Sequence, residues 1–303
     1  MTIPLPTERE SKRELLIGLA CAAGVVALFS GFVLVSRLGL RTTMQPADLA
    51  ALRFLGGGLV LLPLFLKHGL AGLRLYQALA LALFGAFGFA LLAYSGFDRA
   101  PASHGSLLIH GALPLMTMLA AYTVAGSRPG RREAFGCVLI VLGVVLMLWD
   151  SLAHADTRTL TGDALLLAAS LSWAIYGVLI RRLAVPAIPA AAIVAVITLI
   201  FYVPAYLAVD PLRLLQFPAG ELLFQGIFQG VLIGAVSLFL YTRTVTALGA
   251  GFAALVSAIV PAVTTLVAIP LLGEVPSVLV LSGIAAVAAG VTIPLFATLP
   301  REN

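Results

Sequence analysis

Charged residues are scarce in this 303-residue chain, of which only 10% are Asp, Glu, Lys or Arg. A soluble globular domain carries about 25% charged residues, so this sequence cannot cover a water-facing surface. The hydrophobic content of 61% and the mean hydropathy of +1.10 predict residence in a lipid bilayer. The net charge of +5 comes from residues between apolar segments, and it is interpreted as a determinant of membrane topology rather than a nucleic-acid-binding surface.

Cysteine is nearly absent, and Cys21 and Cys137 both lie inside apolar segments. Their spacing matches neither a disulfide framework nor a metal-binding motif. The chain also has no Gly-x-Ser-Gly and no His-Glu-x-x-His segment, the signatures expected of intramembrane proteases. We therefore predict no metal, no cofactor and no enzymatic activity. An intramembrane enzyme that uses Ser103, His104, Ser106 and His110 is a remote alternative.

Acidic residues are missing from the middle of the apolar segments. Those nearest to the segments lie close to their ends: Asp48, Asp98, Asp163, Glu221 and Glu274. The sequence therefore predicts no buried carboxylate relay of the kind used by proton-driven pumps. Transport driven by the substrate gradient, by exchange or through a histidine is expected instead.

What the chain does contain is a series of ten long apolar stretches with few charges. At about 1.5 Å per residue such stretches cross a bilayer core of about 30 Å. Residues 1–14 are predicted to be a cytoplasmic tail, and the first stretch exceeds the about 7–15 apolar residues of a cleaved signal peptide. The predicted spans are 15–36, 47–66, 76–97, 101–123, 133–149, 162–180, 189–209, 221–242, 248–270 and 277–298.

An internal duplication links the two halves of the chain. Residues 94–146 and 241–293 align without a gap at an offset of 147, with twelve of 53 positions identical. Many of the identities are residues that shape the backbone: Pro114/Pro261, Gly126/Gly273, Pro129/Pro276, Gly136/Gly283 and Gly143/Gly290. Each repeat, 15–150 and 151–299, holds five apolar stretches, and an odd number inverts the second copy in the membrane. The predicted fold is an all-α integral membrane protein of ten transmembrane helices, arranged as two inverted five-helix repeats.

The distribution of Lys and Arg predicts the orientation. With the N-terminus inside, twelve basic residues face the cytoplasm and five face outward, while Arg53 lies within a span. Arg128, Arg131 and Arg132 have apolar counterparts in the second repeat, as expected if inversion moved that loop outside. We predict a multi-pass inner-membrane protein with both termini in the cytoplasm.

Short motifs in both repeats match a known family. They are Leu52-Arg53-Phe54 in the second span and, in the second repeat, Pro261, Leu271-Leu272-Gly273-Glu274, Gly283 and Gly290. With them the chain resembles the drug/metabolite transporter superfamily, in its EamA-type branch of amino-acid and aromatic amino-acid exporters. The resemblance implies a ten-helix inner-membrane carrier whose halves enclose a central cavity, and whose relatives often export amino acids, related metabolites or drugs.

His110 is the foremost candidate for substrate binding. It lies near mid-span and shares a helical face with Ser106 and Pro114, while the matching face of the second repeat carries Ser257 and Pro261. Each copy thus has a polar group four residues before a proline. Pro114 and Pro261 are predicted kinks that expose backbone carbonyls. The alternative for His110 is a structural histidine bonded to a neighbouring helix.

Aromatic residues at equivalent depths are the second set of candidates. Phe29 and Phe32 align with Trp173 and Tyr176 at an offset of 144. We predict that they form opposite walls of a cavity for apolar or aromatic groups. Ordinary packing or lipid contact is the alternative.

Three further residues complete the predicted site. Tyr94 and Tyr241 match each other in the duplication, although tyrosines are also common interfacial anchors. Gln229 stands one helical turn from Gln225, and its amide can recognise a zwitterion or join a helix-packing stripe.

Two charged residues are assigned other roles. Arg53 is expected to extend its side chain to the membrane interface, with attraction of a carboxylate as the alternative. Glu274 precedes a helix start and is expected to cap that helix.

The predicted cavity is neutral, aromatic-rich and supplied with hydroxyl and amide groups, which suits zwitterions and poorly suits phosphorylated sugars. We predict a secondary transporter that exports small amphiphilic metabolites, above all amino acids including apolar and aromatic ones, by alternating access. A multidrug exporter of lipophilic cations is the alternative. The expected partners are a small-molecule substrate and the lipid bilayer, without nucleic acid, and the carrier is expected to be a monomer.

Overall fold

The computed structural model describes residues 8–126, 130–153 and 156–296. Arg128, Pro129 and Arg301, which enter the duplication and charge arguments above, lie outside them. Within the described residues ten helices follow one another, with no β-strand. They are α1 Glu8–Leu40, α2 Pro46–His68, α3 Leu75–Arg99, α4 Ala102–Gly111 with Leu113–Ala125, α5 Arg131–Ala153, α6 Thr157–Leu183, α7 Ala187–Val209, α8 Ala219–Gly249, α9 Gly251–Leu272 and α10 Val278–Phe296.

Eight of these helices are each long and apolar enough to cross a membrane. α4 reaches that length as two segments that meet at an angle of 41°, and the apolar stretch of α10 is shorter, Val278–Ile293. The predicted all-α membrane fold is confirmed, and each predicted span coincides with a helix. Several helices extend beyond the predicted spans; in particular, α1 begins at Glu8 and includes the charged residues predicted to form a tail. Glu, Lys and Arg are good helix formers, so the helix continues through them.

The two halves interlock rather than lie side by side. α1 of the first half packs against α8 and α9 of the second, and α6 packs against α3 and α4. α2 packs against α7 and α8, α3 against α7, and α5 against α10. Exchanging equivalent helices of the two halves converts the contacts of α1 into those of α6 and the α2–α8 contact into the α3–α7 contact, and it leaves α2–α7 and α5–α10 unchanged. The packing therefore repeats the two-fold relation of the duplicated sequence.

The duplicated glycines lie at the contact between α5 and α10. A Cβ on Gly143 would sit 2.5 Å from the carbonyl oxygen of Gly283, and one on Gly290 would sit 2.6 Å from that of Gly136. Residue numbers rise along one helix as they fall along the other, so the two helices are antiparallel, as inverted copies require. Small residues let the backbones approach closely, and lipid-embedded helices associate through such contacts.

Three helices contain π-helical segments beside the centre of the bundle: Leu83–Gly88 in α3, Leu107–Gly111 in α4 and Gly226–Val236 in α8. A π-segment leaves carbonyl groups without their usual partners. Serines of α6 fill two of these, since Ser172 Oγ donates to Phe84 O at 2.8 Å and Ser170 Oγ to Ile109 O at 3.3 Å. These bonds fix α6 against the first half.

The two predicted kinks differ in the structure. α4 breaks at Ala112, just before Pro114, whereas Pro261 lies within α9, which stays helical from Gly251 to Leu272. The break in that part of the second half falls at Gly249, with φ 87°. That backbone conformation favours glycine.

The α5–α10 contact predicts that Gly283→Ala destabilises the protein. Its Cβ would lie 2.7 Å from Gly143 O, and the overpacking should cost about 1–3 kcal/mol. The measurement is thermal unfolding in detergent, with Gly177→Ala as the control because a Cβ there meets nothing within 4 Å. Equal melting temperatures for the two variants would contradict the proposed contact.

Candidate functional site

A row of aromatic side chains crosses the boundary between the two halves. The ring of Phe89 lies 5.9 Å from Phe32 and 4.9 Å from Trp173, and Trp173 lies 5.1 Å from Tyr176. Tyr94 meets Phe32 edge-on at 5.8 Å. These five residues are called the aromatic row. Phe32, Trp173 and Tyr176, which were predicted on two facing walls, therefore belong to one continuous row of rings joined by Phe89, and Phe29 lies outside it.

Arg53 points into the bundle, so the prediction that it extends to the interface is wrong. Its guanidinium carbon lies 5.3 Å from the ring centroid of Phe32 and 5.7 Å from that of Phe89. Attraction between a cation and the faces of two rings offers a physical reason for this inward placement. The site that the sequence predicts to be neutral thus has a positive charge beside Phe32 and Phe89.

His110 belongs to a second aromatic group next to the row. Its ring stacks on Phe29 at 5.1 Å, and Phe29 lies 6.3 Å from Tyr241. His110 Nδ1 is buried and has no hydrogen-bond partner among the described residues. Phe29 and Phe32 are one turn apart on α1, so the two groups are neighbours.

The two predicted serines use their hydroxyls locally. Ser106 Oγ donates to Ser103 O at 3.2 Å, and Ser257 Oγ donates to Ala253 O at 3.2 Å. Both bonds stay within the serine's own helix. A local bond of this kind leaves the serine oxygen able to accept a hydrogen bond but uses its proton.

Gln229 occupies a hydrogen-bond network at the junction of α1, α3 and α8. Its Nε2 donates to Ser36 Oγ at 3.1 Å and to Gln225 Oε1 at 3.3 Å, while Oε1 accepts from Tyr94 at 3.0 Å. Gln225 in turn donates to Val35 O at 3.0 Å. Both amide protons of Gln229 are used, which favours the packing role that the sequence left open.

Two carboxylates of the described residues are buried, Asp48 and Asp163, and both lie near the start of their helices. Asp163 has no exposed surface; its Oδ1 lies 2.9 Å from His104 Nδ1, and its Oδ2 accepts from Ser151 Oγ at 2.9 Å. The three residues join α4, α6 and α5. Asp163 lies near the end of a predicted span, but it is buried because neighbouring helices cover that end.

Ion pairs join the halves at one end of the bundle, called the Glu274 end after its central residue. Glu274 pairs with Arg37 and, at 2.7 Å, with Arg41. Its other oxygen accepts from Ala102 N at 2.6 Å, so Glu274 caps α4. Its own helix, predicted to be capped by this residue, is capped by Ser277 instead.

A second pair strengthens the same end. Arg213, between α7 and α8, lies 3.1 Å from Asp48 of α2, and Tyr206 also donates to that carboxylate. Hydrogen bonding to Asp48 raises the pKa of the Arg213 guanidinium above its usual value. Five charged side chains from both halves, together with Tyr206, therefore close this end.

A polar cavity of about 450 Å³ opens between these ion pairs and the start of α6. Its charged lining residues are Arg37, Arg41, Asp98, Arg99, Asp156 and Arg158. Hydrogen bonds from Thr159 lower the pKa of Asp156 below its usual range. The cavity has an excess of cations, so it can attract anions towards this end.

Sequence reasoning missed three contributors to the site. Arg53 carried a usable signal, since a charge within a span is functional by default. Phe89 carried none, because it is one of several aromatics in an apolar run. Ser151 carried none either, because its bond to Asp163 depends on how two helices meet.

The chain is similar to a transporter family, to a curated protein and to a solved structure. A model of the EamA-like transporter family matches residues 16–149 and again residues 160–296. The uncharacterized transporter YyaM of Bacillus subtilis (strain 168) is 24% identical over 275 residues, which are 84% of this chain and 88% of that protein. A crystal structure resembles the fold with a TM-score of 0.59 and 21% identity, covering 96% of this chain and 99% of that one.

The His104–Asp163 contact predicts a coupled loss of stability. Asp163→Leu leaves the His104 imidazole and the Ser151 hydroxyl without their hydrogen-bond partner. Each buried unsatisfied group should lower the free energy of unfolding by about 1–3 kcal/mol. Adding His104→Leu should restore part of this loss. Thermal unfolding in detergent measures it, with Glu14→Gln in the exposed pair with Arg243 as the control. Additive effects of the two leucine substitutions would rule out the contact.

Proposed function

This chain belongs to the EamA-like transporter family, and we propose that it is a secondary carrier that exports small amphiphilic metabolites, above all amino acids with apolar or aromatic side chains. It is a multi-pass membrane protein whose partners are a small-molecule substrate and the bilayer. The proposal includes the inner membrane as its location, cytoplasmic termini and a monomeric carrier.

The aromatic row carries this proposal. It offers an apolar surface assembled from both halves, with Phe32 and Phe89 from the first and Trp173 and Tyr176 from the second. A substrate held there touches both halves at once, which is what a carrier of inverted repeats needs. Phe29, His110 and Tyr241 extend the surface along α1.

The positive charge of Arg53 helps to distinguish amino acids from lipophilic cations and phosphorylated compounds as substrates. Arg53 places one positive charge beside the rings, which repels lipophilic cations and weakens the case for a multidrug exporter. Phosphorylated substrates call for several basic groups arranged around the phosphate. A substrate with one anionic group and an apolar body suits the site best.

Alternating access provides the mechanism. The Glu274 end, which the count of basic residues places outside, is tied together by pairs from opposite halves. Opening it requires these pairs to separate as the halves rock about the central row. The bent α4 and the break at Gly249 are the positions where the helices can flex. With the proposed orientation, these ion pairs support a conformation in which the outer end of the carrier is closed.

Counterflow in proteoliposomes tests the proposal. Vesicles loaded with unlabelled phenylalanine or leucine should accumulate the labelled amino acid, and labelled tetraphenylphosphonium should not accumulate. Trp173→Ala and His110→Ala should each lower the rate at least tenfold, because both remove part of the aromatic surface. Trp149→Ala is the matched control, since this second tryptophan lies on α5 and is 63% exposed.

The opposite pattern would refute the proposal. Accumulation of the lipophilic cation without any amino acid would assign the protein to multidrug export. Full rates for both Trp173→Ala and His110→Ala would show that the substrate binds elsewhere.

A further inference from the structure

Arg53 is a cation inside the bundle without an acidic partner in the part of the chain that the structure describes. Among the ion pairs of the described residues none includes Arg53, and its Nη1 is buried without a hydrogen-bond partner. We infer that Arg53 binds the carboxylate of the transported metabolite, and that the site recognises this group rather than the ammonium group. The inference rests on the proposed function and names its substrate class: amphiphilic monocarboxylates.

The acidic side chains that could neutralise Arg53 are committed elsewhere. In the part of the chain that the structure describes, two are buried, Asp48 and Asp163. Asp48 is bound by Arg213 and Tyr206, and Asp163 by His104 and Ser151. A charge taken out of water without a partner is costly. An anionic ligand would remove that cost when it binds.

The surroundings of the guanidinium select the shape of this ligand. Phe32 and Phe89 both lie within 6 Å of the guanidinium carbon, at 5.3 and 5.7 Å. The buried Nη1 has no hydrogen-bond partner among the described residues. It can donate to an oxygen of a bound carboxylate, whose two oxygens match the planar fork of the guanidinium.

The aromatic row then holds the rest of the molecule. Phe89 contacts both the guanidinium and Trp173, whose ring centroid is 4.9 Å away. A carboxylate at Arg53 therefore directs its apolar body along Phe89 towards Trp173 and Tyr176. No buried carboxylate is left to pair with an ammonium group, since both in the described residues are engaged. The carboxylate is thus the required group, and the amino group is dispensable.

Competition in proteoliposomes tests this specificity on the wild-type carrier. Uptake of labelled phenylalanine is measured with unlabelled phenylpropionate, phenylalanine methyl ester or phenylalaninamide outside. Phenylpropionate keeps the carboxylate and lacks the amine, whereas the ester and the amide keep the amine and lose the charge. Phenylpropionate should compete within about threefold of phenylalanine, and the ester and amide at least tenfold more weakly.

A charge-removing variant gives the second readout. Arg53→Met keeps an unbranched apolar side chain, and it should lower phenylalanine uptake at least tenfold and abolish the preference for the acid over the ester. Arg53→Lys should recover part of the uptake, because it restores the charge without the planar fork. Arg74→Met, at an exposed arginine between α2 and α3, is the matched control and should behave like the wild type.

The outcomes separate the inference from the proposed function. If phenylalanine is transported but the ester and amide compete as well as phenylpropionate, the inference is overturned and the carrier function stands. If phenylpropionate fails to compete while the ester and amide succeed, the site recognises the ammonium group. If no amino acid is transported at all, the proposed function fails first. Should Arg53→Met not fold, the wild-type competition decides alone.

Discussion

Polar groups carried into a bilayer must find partners inside the protein, because lipid offers none, and most of this structure follows from that constraint. The spare carbonyls of the π-segments are bound by serines of α6, and Asp163 is enclosed by His104 and Ser151. Against this background the exceptions carry information. Five buried side-chain groups of the described residues lack hydrogen-bond partners. Two of them, Arg53 Nη1 and His110 Nδ1, each lie beside one of the two neighbouring aromatic groups that meet on α1.

The duplication supplies a frame in which such a site can be shared. Because α1 packs against the second half and α6 against the first, side chains of both halves meet in one aromatic row. The helices α5 and α10 meet through duplicated glycines. The packing of the helices is symmetric, but the side chains at the site and the breaks in the helices differ between the two halves. His110 corresponds to Ser257, and α4 is broken where α9 continues. An asymmetric substrate can therefore bind between nearly symmetric halves.

The fold was predictable from the sequence because it depends on apolar length, on charges in loops and on a repeat, all of which are properties of the chain itself. The aromatic candidates Phe32, Trp173 and Tyr176 were predictable for the same reason. Their arrangement was not, since it depends on Phe89, which no pattern distinguishes. Arg53 and Glu274 were misassigned because position in a span does not reveal which neighbouring helix a long side chain meets.

The central claim is that a carboxylate binds Arg53 while its apolar body lies along the aromatic row. The most direct measurement is a structure of the full-length protein with bound phenylalanine. The account predicts carboxylate oxygens about 2.7–2.9 Å from the Arg53 guanidinium nitrogens, with the phenyl ring against Phe89 and Trp173. A phenylalanine bound with its carboxylate away from Arg53, or bound outside the row, would contradict it.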